Sequence, residues 1–255
     1  MELAFDDEGR GGTPLLLVHG HPFDRTTWRP QVERFSPERR VIVPDLRGYG
    51  ASPASGPGPV RLEDFAGDLA ALLDALEVES VVIGGLSMGG QIVMTFLRMF
   101  PQRVRGLVLM ATSPAADTPE AADARRATAA RLEAEGLDPY AREVLHRMVS
   151  PTADPRVAAH VLDVMRRTSP AAAAAAMRGR CERPDLSGVL AGATVPALVV
   201  VGTQDEYTPV AEVRGMHALL PDSRLLVVDS AHLPNLERPA EVNEALAAFL
   251  SDLDA

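Results

Sequence analysis

Residues 81–90 read Val-Val-Ile-Gly-Gly-Leu-Ser-Met-Gly-Gly. An apolar run closes on Gly85-Leu86-Ser87-Met88-Gly89, and a helix-like segment, Gln91 to Phe100, follows. The pattern is Gly-x-Ser-x-Gly between a buried strand and a helix, which makes Ser87 a candidate nucleophile. The spacing has a steric cause. A serine on so sharp a turn is held in a strained backbone conformation. Side chains two residues to either side would collide with the neighbouring strand and helix, and Gly85 and Gly89 carry none. The hydroxyl is then expected to stand above the sheet, near the positive end of the following helix. An ordinary strand-to-helix turn could contain the same five residues, so the context decides.

Outward from this stretch, short apolar runs alternate with longer amphipathic segments. Strands are predicted at Leu15–His19, Val41–Pro44, Ser80–Gly84, Leu107–Met110, Ala197–Gly202 and Leu225–Val228. Near-continuous apolar runs suit strands covered on both faces, as in a parallel sheet. Leu62, Phe65, Leu69, Leu72, Leu73 and Leu76 follow helical spacing, as do Val242, Leu246, Phe249 and Leu250. Strand–helix alternation means an α/β fold.

The alternation breaks between about Ser113 and Arg183, where no strand is evident and alanine is abundant. Thr118-Pro119, Asp138-Pro139, Asp154-Pro155 and Ser169-Pro170 each pair a good N-cap with proline at the first helical position. About four helices are predicted there. The Ala171–Ala176 run reads as helix, because alanine is the best helix former. Val195-Pro196 restarts the sheet.

Bulk properties narrow the function. The chain has 255 residues, enough for one large domain with an inserted subdomain. It is 46% hydrophobic and 24% charged, as a globular protein is. A net charge of −10 without a basic stripe disfavours nucleic acid as a partner. The acidic start, Met-Glu-Leu-Ala-Phe-Asp-Asp-Glu, does not read as a signal peptide, and no apolar run is long enough to span a membrane. Cys181 is the single cysteine, so no internal disulfide can form and a cytoplasmic location is expected.

A serine hydroxyl needs a base to take its proton, usually a histidine oriented by a carboxylate. On a doubly wound sheet these partners should lie beyond the carboxyl ends of later strands, in the order serine, acid, histidine. Asp205 follows the strand ending at Gly202, ahead of Pro209; the adjacent Glu206 should point elsewhere. His232 follows the strand ending at Val228. Of the other histidines, His146, His160 and His217 fall in predicted helices and suit the surface. His19 suits a satisfied, buried imidazole, and His21 sits in the loop after it. The backbone N–H groups of His21 and Met88 are the candidate oxyanion hole.

With these pieces assembled, the chain resembles α/β-hydrolase-fold proteins over nearly all of its length. Five stretches carry the resemblance in order: His19-Gly20-His21-Pro22; Asp45-Leu46-Arg47-Gly48-Tyr49-Gly50-Ala51-Ser52; the turn at Ser87; Gly202-Thr203-Gln204-Asp205 with Pro209; and Ala231-His232 with Glu237 and Pro239. The resemblance implies a doubly wound, mostly parallel sheet with a helical cap inserted after the sixth strand. It puts the core at 1–112 and 184–255 and the cap at 113–183. It implies a triad of Ser87, Asp205 and His232 and oxyanion amides on His21 and Met88. Asp45 to Ser52 is expected to be structural.

A serine nucleophile argues against the haloalkane dehalogenases and epoxide hydrolases, which use a carboxylate. The expectation is hydrolysis of a carboxylic ester or lactone through an acyl-enzyme, with no metal or organic cofactor needed. Leu86-Ser87-Met88-Gly89-Gly90 and Asn235-Leu236-Glu237-Arg238-Pro239 most resemble 3-oxoadipate enol-lactonases and small esterases. The alternatives are a cofactor-free haloperoxidase-like perhydrolase, to which Pro22 points, a carbon–carbon bond hydrolase, and a non-enzymatic ligand binder on the same fold. Phe23, Trp28 and Met88 could line the pocket or belong to the core. Met148, Leu162, Met165 and Met177 are possible linings from the insertion. Its alanine-rich sequence puts few charges at predicted inward positions, so an apolar acyl or alcohol group is expected.

Overall fold

The apolar runs pair into a single sheet. The computed structural model describes residues 2–54, 56 and 58–254. Among these, the strands are β1 (Phe5–Glu8), β2 (Leu15–Val18), β3 (Val41–Pro44), β4 (Val81–Leu86), β5 (Val104–Met110), β6 (Ala197–Gly202) and β7 (Ser223–Val228). Their spatial order is β1-β3-β2-β4-β5-β6-β7, with β1 antiparallel to β3 and the other neighbours parallel.

The helices are α1 (Arg29–Phe35), α2 (Leu62–Ala75), α3 (Met88–Met99), α4 (Pro119–Glu135), α5 (Leu137–Met148), α6 (Pro155–Arg167), α7 (Pro170–Arg180), α8 (Ser187–Ala191), α9 (Val210–Leu219), α10 (Pro234–Glu237) and α11 (Pro239–Asp254). They cover both faces of the sheet, which is why its strands are apolar throughout. Alternation sorts each strand between the two layers. Leu16, Val18, Val81 and Ile83 pack with residues of α2, α3 and α9. Leu15, Leu17, Val82 and Leu86 pack with residues of α1, α5, α6 and α11. Phe23 and Trp28 belong to this second layer and Met88 to the first.

The structure differs from the sequence reading in several places, each with a physical reason. β1 was not among the predicted strands. Its sequence, Phe-Asp-Asp-Glu, has no apolar alternation and forms a half-exposed edge, where charges are tolerated. Arg40 holds Asp7 through two hydrogen bonds of 2.9 and 2.8 Å. β4 continues through both glycines to Leu86 rather than stopping at Gly84.

The insertion follows the fifth strand, not the sixth, because residues 2–14, ahead of β2, hold the single strand β1. Between β5 and β6 the chain is helical: α4 to α7, then the short α8. Thr118, Asp154 and Ser169 cap α4, α6 and α7 through their side chains. Asp138 does not cap α5, which begins at Leu137 after Gly136; its carboxylate instead takes Arg142 at 3.0 Å and pairs with Arg166. α4 and α7 pack together through Ala129, Leu132, Ala173, Ala174 and Met177.

Candidate active site

The carboxyl ends of β2, β4, β5, β6 and β7 and the helical insertion enclose a cavity of about 410 Å³. A doubly wound sheet places ligands at this edge. His21, Ser87, Thr112, Thr208 and His232 line it from the sheet, and Arg125, Tyr140, Met148, Met177 and Arg180 from the insertion.

Ser87 sits between β4 and α3 with φ 55° and ψ −115°, a strained conformation for a residue with a side chain. The flanking glycines make it possible. A Cβ on Gly85 would stand 2.3 Å from the backbone of Gly89, and one on Gly89 would stand 2.3 Å from the carbonyl oxygen of Val18. Both clashes are with backbone, which cannot step aside. The turn is tied to β5: Ser87 N–H donates to the Met110 carbonyl at 2.9 Å, and the Thr112 hydroxyl donates to the Ser87 carbonyl at 2.7 Å.

Asp205 and His232 are brought together by their loops. Thr203 N–H donates to the Val228 carbonyl at 2.8 Å and Gln204 N–H to the Ser230 carbonyl at 2.9 Å, so parallel pairing continues past the ends of β6 and β7. His232 Nδ1 then lies 2.8 Å from Asp205 Oδ2, with both side chains buried. That bond makes Nδ1 the donor and leaves Nε2 to accept a proton. The carboxylate is saturated: Oδ1 accepts from the amides of Tyr207 at 2.8 Å and Thr208 at 3.1 Å, and Oδ2 from the Thr208 hydroxyl at 2.5 Å. Burial alone would push the Asp205 carboxyl up. The His232 charge and the bonds from His232 and Thr208 outweigh it and hold the group below its ordinary value. Glu206 points away, is largely exposed and pairs with Arg147 at 3.0 Å.

Among the described residues, the backbone N–H groups of His21 and Met88 donate no hydrogen bond. Met88 opens α3, where a first-turn amide has no partner within the helix. The His21 ring is buried against Tyr49, whose hydroxyl lies 2.8 Å from Nδ1. His19 is a satisfied buried imidazole, as its position suggested: Nδ1 lies 2.8 Å from the Gly20 carbonyl, and Nε2 accepts the Leu46 amide at 3.0 Å. His146 is exposed, and His160 and His217 bond Thr26 and Ser223 away from the cavity. Asp45 is structural: it accepts the amides of Arg25 and Ala51, each at 2.8 Å. Among the described residues no cluster of His, Cys, Asp and Glu could hold a metal ion.

The insertion brings charges that the sequence reading did not foresee. Arg125, Arg180, Arg183 and Asp117 all line the cavity, so the expectation of an apolar lining is corrected. Met148 and Met177 do line it, whereas Leu162 and Met165 do not. One signal was available. Arg180 stands three residues after Met177, on the same helical face.

Residues 13–133 match the family model of the alpha/beta hydrolase fold. A thermophilic esterase from Thermogutta terrifontis, solved with malate bound, superposes with a TM-score of 0.96 at 39% identity, over 99% of this chain and 94% of that one. The enol-lactonase from Burkholderia xenovorans LB400 superposes with a TM-score of 0.90 at 28% identity, over 98% of this chain and 96% of that one. The 3-oxoadipate enol-lactonase 2 of Acinetobacter baylyi is 28% identical over 249 residues, which are 95% of this chain and 90% of that protein.

Proposed function

The chain belongs to the alpha/beta hydrolase fold family, and from that premise we propose that it is a serine hydrolase cleaving a carboxylic ester or lactone. The carrying observation is the 2.8 Å bond between His232 Nδ1 and Asp205 Oδ2, with His232 and the strained Ser87 on one cavity. The esterase and enol-lactonases among its relatives support the same reading.

In this reading Ser87 Oγ attacks the substrate carbonyl while His232 Nε2 takes its proton. The new oxygen–carbon bond leaves charge on the carbonyl oxygen, which the amides of His21 and Met88 receive. The ester bond to the alcohol then breaks, and His232 returns the proton to the departing oxygen. Water repeats the sequence on the acyl-serine, releasing the acid and restoring the hydroxyl. Asp205 stays ionised throughout and stabilises the imidazolium. Residues 113–183 act as the cap that shapes the substrate's side of the cavity. No helix among the described residues is long and apolar enough to cross a membrane. We place the reaction in the cytoplasm on another ground, the single cysteine Cys181.

The test is turnover of p-nitrophenyl esters, acetate to octanoate, by wild type and Ser87→Ala. Loss of turnover in a folded Ser87→Ala protein supports the proposal. Retained activity in a clean preparation overturns it.

A further inference from the structure

The cavity above Ser87 carries more positive charge than its own acids neutralise. Arg125, Arg180 and Arg183 line it, and Asp117 is the acid buried among them. That carboxylate is already shared. Arg125 grips it through Nε and Nη2 at 2.8 and 3.0 Å, and Arg183 Nη1 lies 2.8 Å away. Glu212, the other acid of the lining, is exposed.

Arg180 is left over. Its Nε donates to Gln91 Oε1 at 3.1 Å. Among the described residues its terminal nitrogens donate to nothing, and it pairs with no carboxylate. Burial, then the charges of Arg125 and Arg183, pull its pKa down from the ordinary arginine value, and the charge of Asp117, already shared by the other two arginines, opposes them only in part. A guanidinium nevertheless keeps its proton at neutral pH. A desolvated charge without a counter-charge is costly, and a neutral substrate filling the cavity would leave it so.

Its position is fixed from two sides. Gln91 N–H bonds the Ser87 carbonyl at 3.2 Å, so Gln91 stands one turn along α3 from the serine, a rise of about 6 Å. α7, which ends in Arg180, is pinned against the core: Val60 N–H bonds the Ala175 carbonyl at 3.0 Å, and a Cβ on Gly179 would overlap the Val60 carbonyl oxygen at 1.7 Å.

We infer that Arg180 receives a carboxylate on the substrate, so that the hydrolase cleaves an ester or lactone carrying a second, ionised carboxyl group a few bonds from the scissile carbonyl. A planar carboxylate matches the guanidinium fork and supplies the one negative charge that Arg180 lacks. The inference rests on the reading of Ser87 as nucleophile, because it places the carboxylate relative to the attacked carbon.

Two measurements separate the two readings. First, mono-p-nitrophenyl glutarate and p-nitrophenyl pentanoate, equal in acyl length, are compared on wild type, Arg180→Gln and Arg180→Lys. Wild type should prefer the charged ester in kcat/KM. The ratio of charged to neutral should fall about 100-fold in Arg180→Gln, and less in Arg180→Lys, which keeps the charge but not the fork. Second, glutarate and inorganic phosphate are titrated into wild type and both variants by calorimetry. Glutarate binding to wild type, lost in Arg180→Gln, supports the inference even if neither ester turns over; that outcome would count against the hydrolase reading alone. A wild-type enzyme that prefers the neutral ester, or phosphate bound more tightly than glutarate, overturns the inference. A variant too unstable to assay leaves the wild-type ester ratio and the wild-type titration to decide.

Discussion

Glu237 Oε2 accepts the Ser150 amide at 3.0 Å and so ties the helical insertion to the segment that carries His232. Its other oxygen accepts the Ala231 amide at 2.9 Å, one residue before His232. The carboxylate is buried, so both amides depend on it. Glu237→Ala strands two buried N–H groups and should destabilise the fold by about 2–4 kcal/mol. Glu237→Gln keeps one carbonyl oxygen, can serve one amide only, and should cost about half as much. Both should also lower kcat on p-nitrophenyl butyrate, because the His232 backbone loses its anchor. Urea unfolding and kcat measured on the same preparations check this. An unchanged midpoint in Glu237→Ala would show that water replaces the carboxylate.

The Asp205 carboxylate is positioned mainly by Thr208, which supplies an amide and a hydroxyl. Asp205→Asn should lower kcat by about 10³–10⁴-fold, since the amide can present its N–H to His232 and reverse the tautomer. Thr208→Val removes only the 2.5 Å hydroxyl bond and should lower kcat by about 10-fold. Both act through the orientation of His232, so kcat should fall by more than KM rises in both. A rise in KM at constant kcat would put these residues in substrate binding instead.

Much of this site was legible because strand ends are. Ser87, Asp205 and His232 each follow a short apolar run, and residues that follow such runs on a parallel sheet gather at one edge. Glycine two residues either side of Ser87 has one physical explanation, which the 2.3 Å approaches bear out. The insertion was not legible in the same way. Its helices could be placed from N-caps at Thr118, Asp154 and Ser169. Which face each turns inward depends on how α4 packs on α7, and these two alanine-rich helices carry little amphipathic pattern to say so. Arg180 reaches the cavity because Gly179 lets α7 come against Val60, a contact between segments over a hundred residues apart. β1 was missed for the opposite reason: it is paired, but its acidic sequence carries no buried pattern to read.

The flanking glycines give a sharp contrast. Gly85→Ala and Gly89→Ala each force a Cβ to 2.3 Å from backbone and should destabilise the protein by about 3 kcal/mol or more. Gly215 lies inside α9, is exposed, and has nothing within 4 Å of an added Cβ. Gly215→Ala should therefore stabilise by about 0.5–1 kcal/mol through helix propensity. Thermal unfolding of the three variants should move in opposite directions; a shared direction would contradict the steric account of the turn.

Two buried histidines set the acid side of the stability profile. Burial pulls the His21 pKa well down, with the charges of Arg180, Arg125 and His19 adding to it. Burial also lowers His19, outweighing the Gly20 carbonyl and the carboxylates of Asp45 and Asp24. The folded pKa of each therefore lies below the unfolded value of about 6.5. As pH falls through 6.5, the unfolded chain takes up protons that the folded chain refuses, and stability drops by up to about 1.4 kcal/mol per pH unit for each histidine. Asp205 acts in a separate, lower window. Its folded pKa is depressed, so its contribution is present above the unfolded value of about 4 and is lost as pH falls through the folded one. Urea midpoints at pH 8, 7, 6 and 5 should be level between the first two and fall through the last two, above the unfolded carboxylate value of about 4. A midpoint that holds level to pH 5 would mean that His19 and His21 accept protons in place, with the Leu46 amide giving up its bond to His19 Nε2 and the Tyr49 hydroxyl, which can accept as well as donate, keeping its contact with His21.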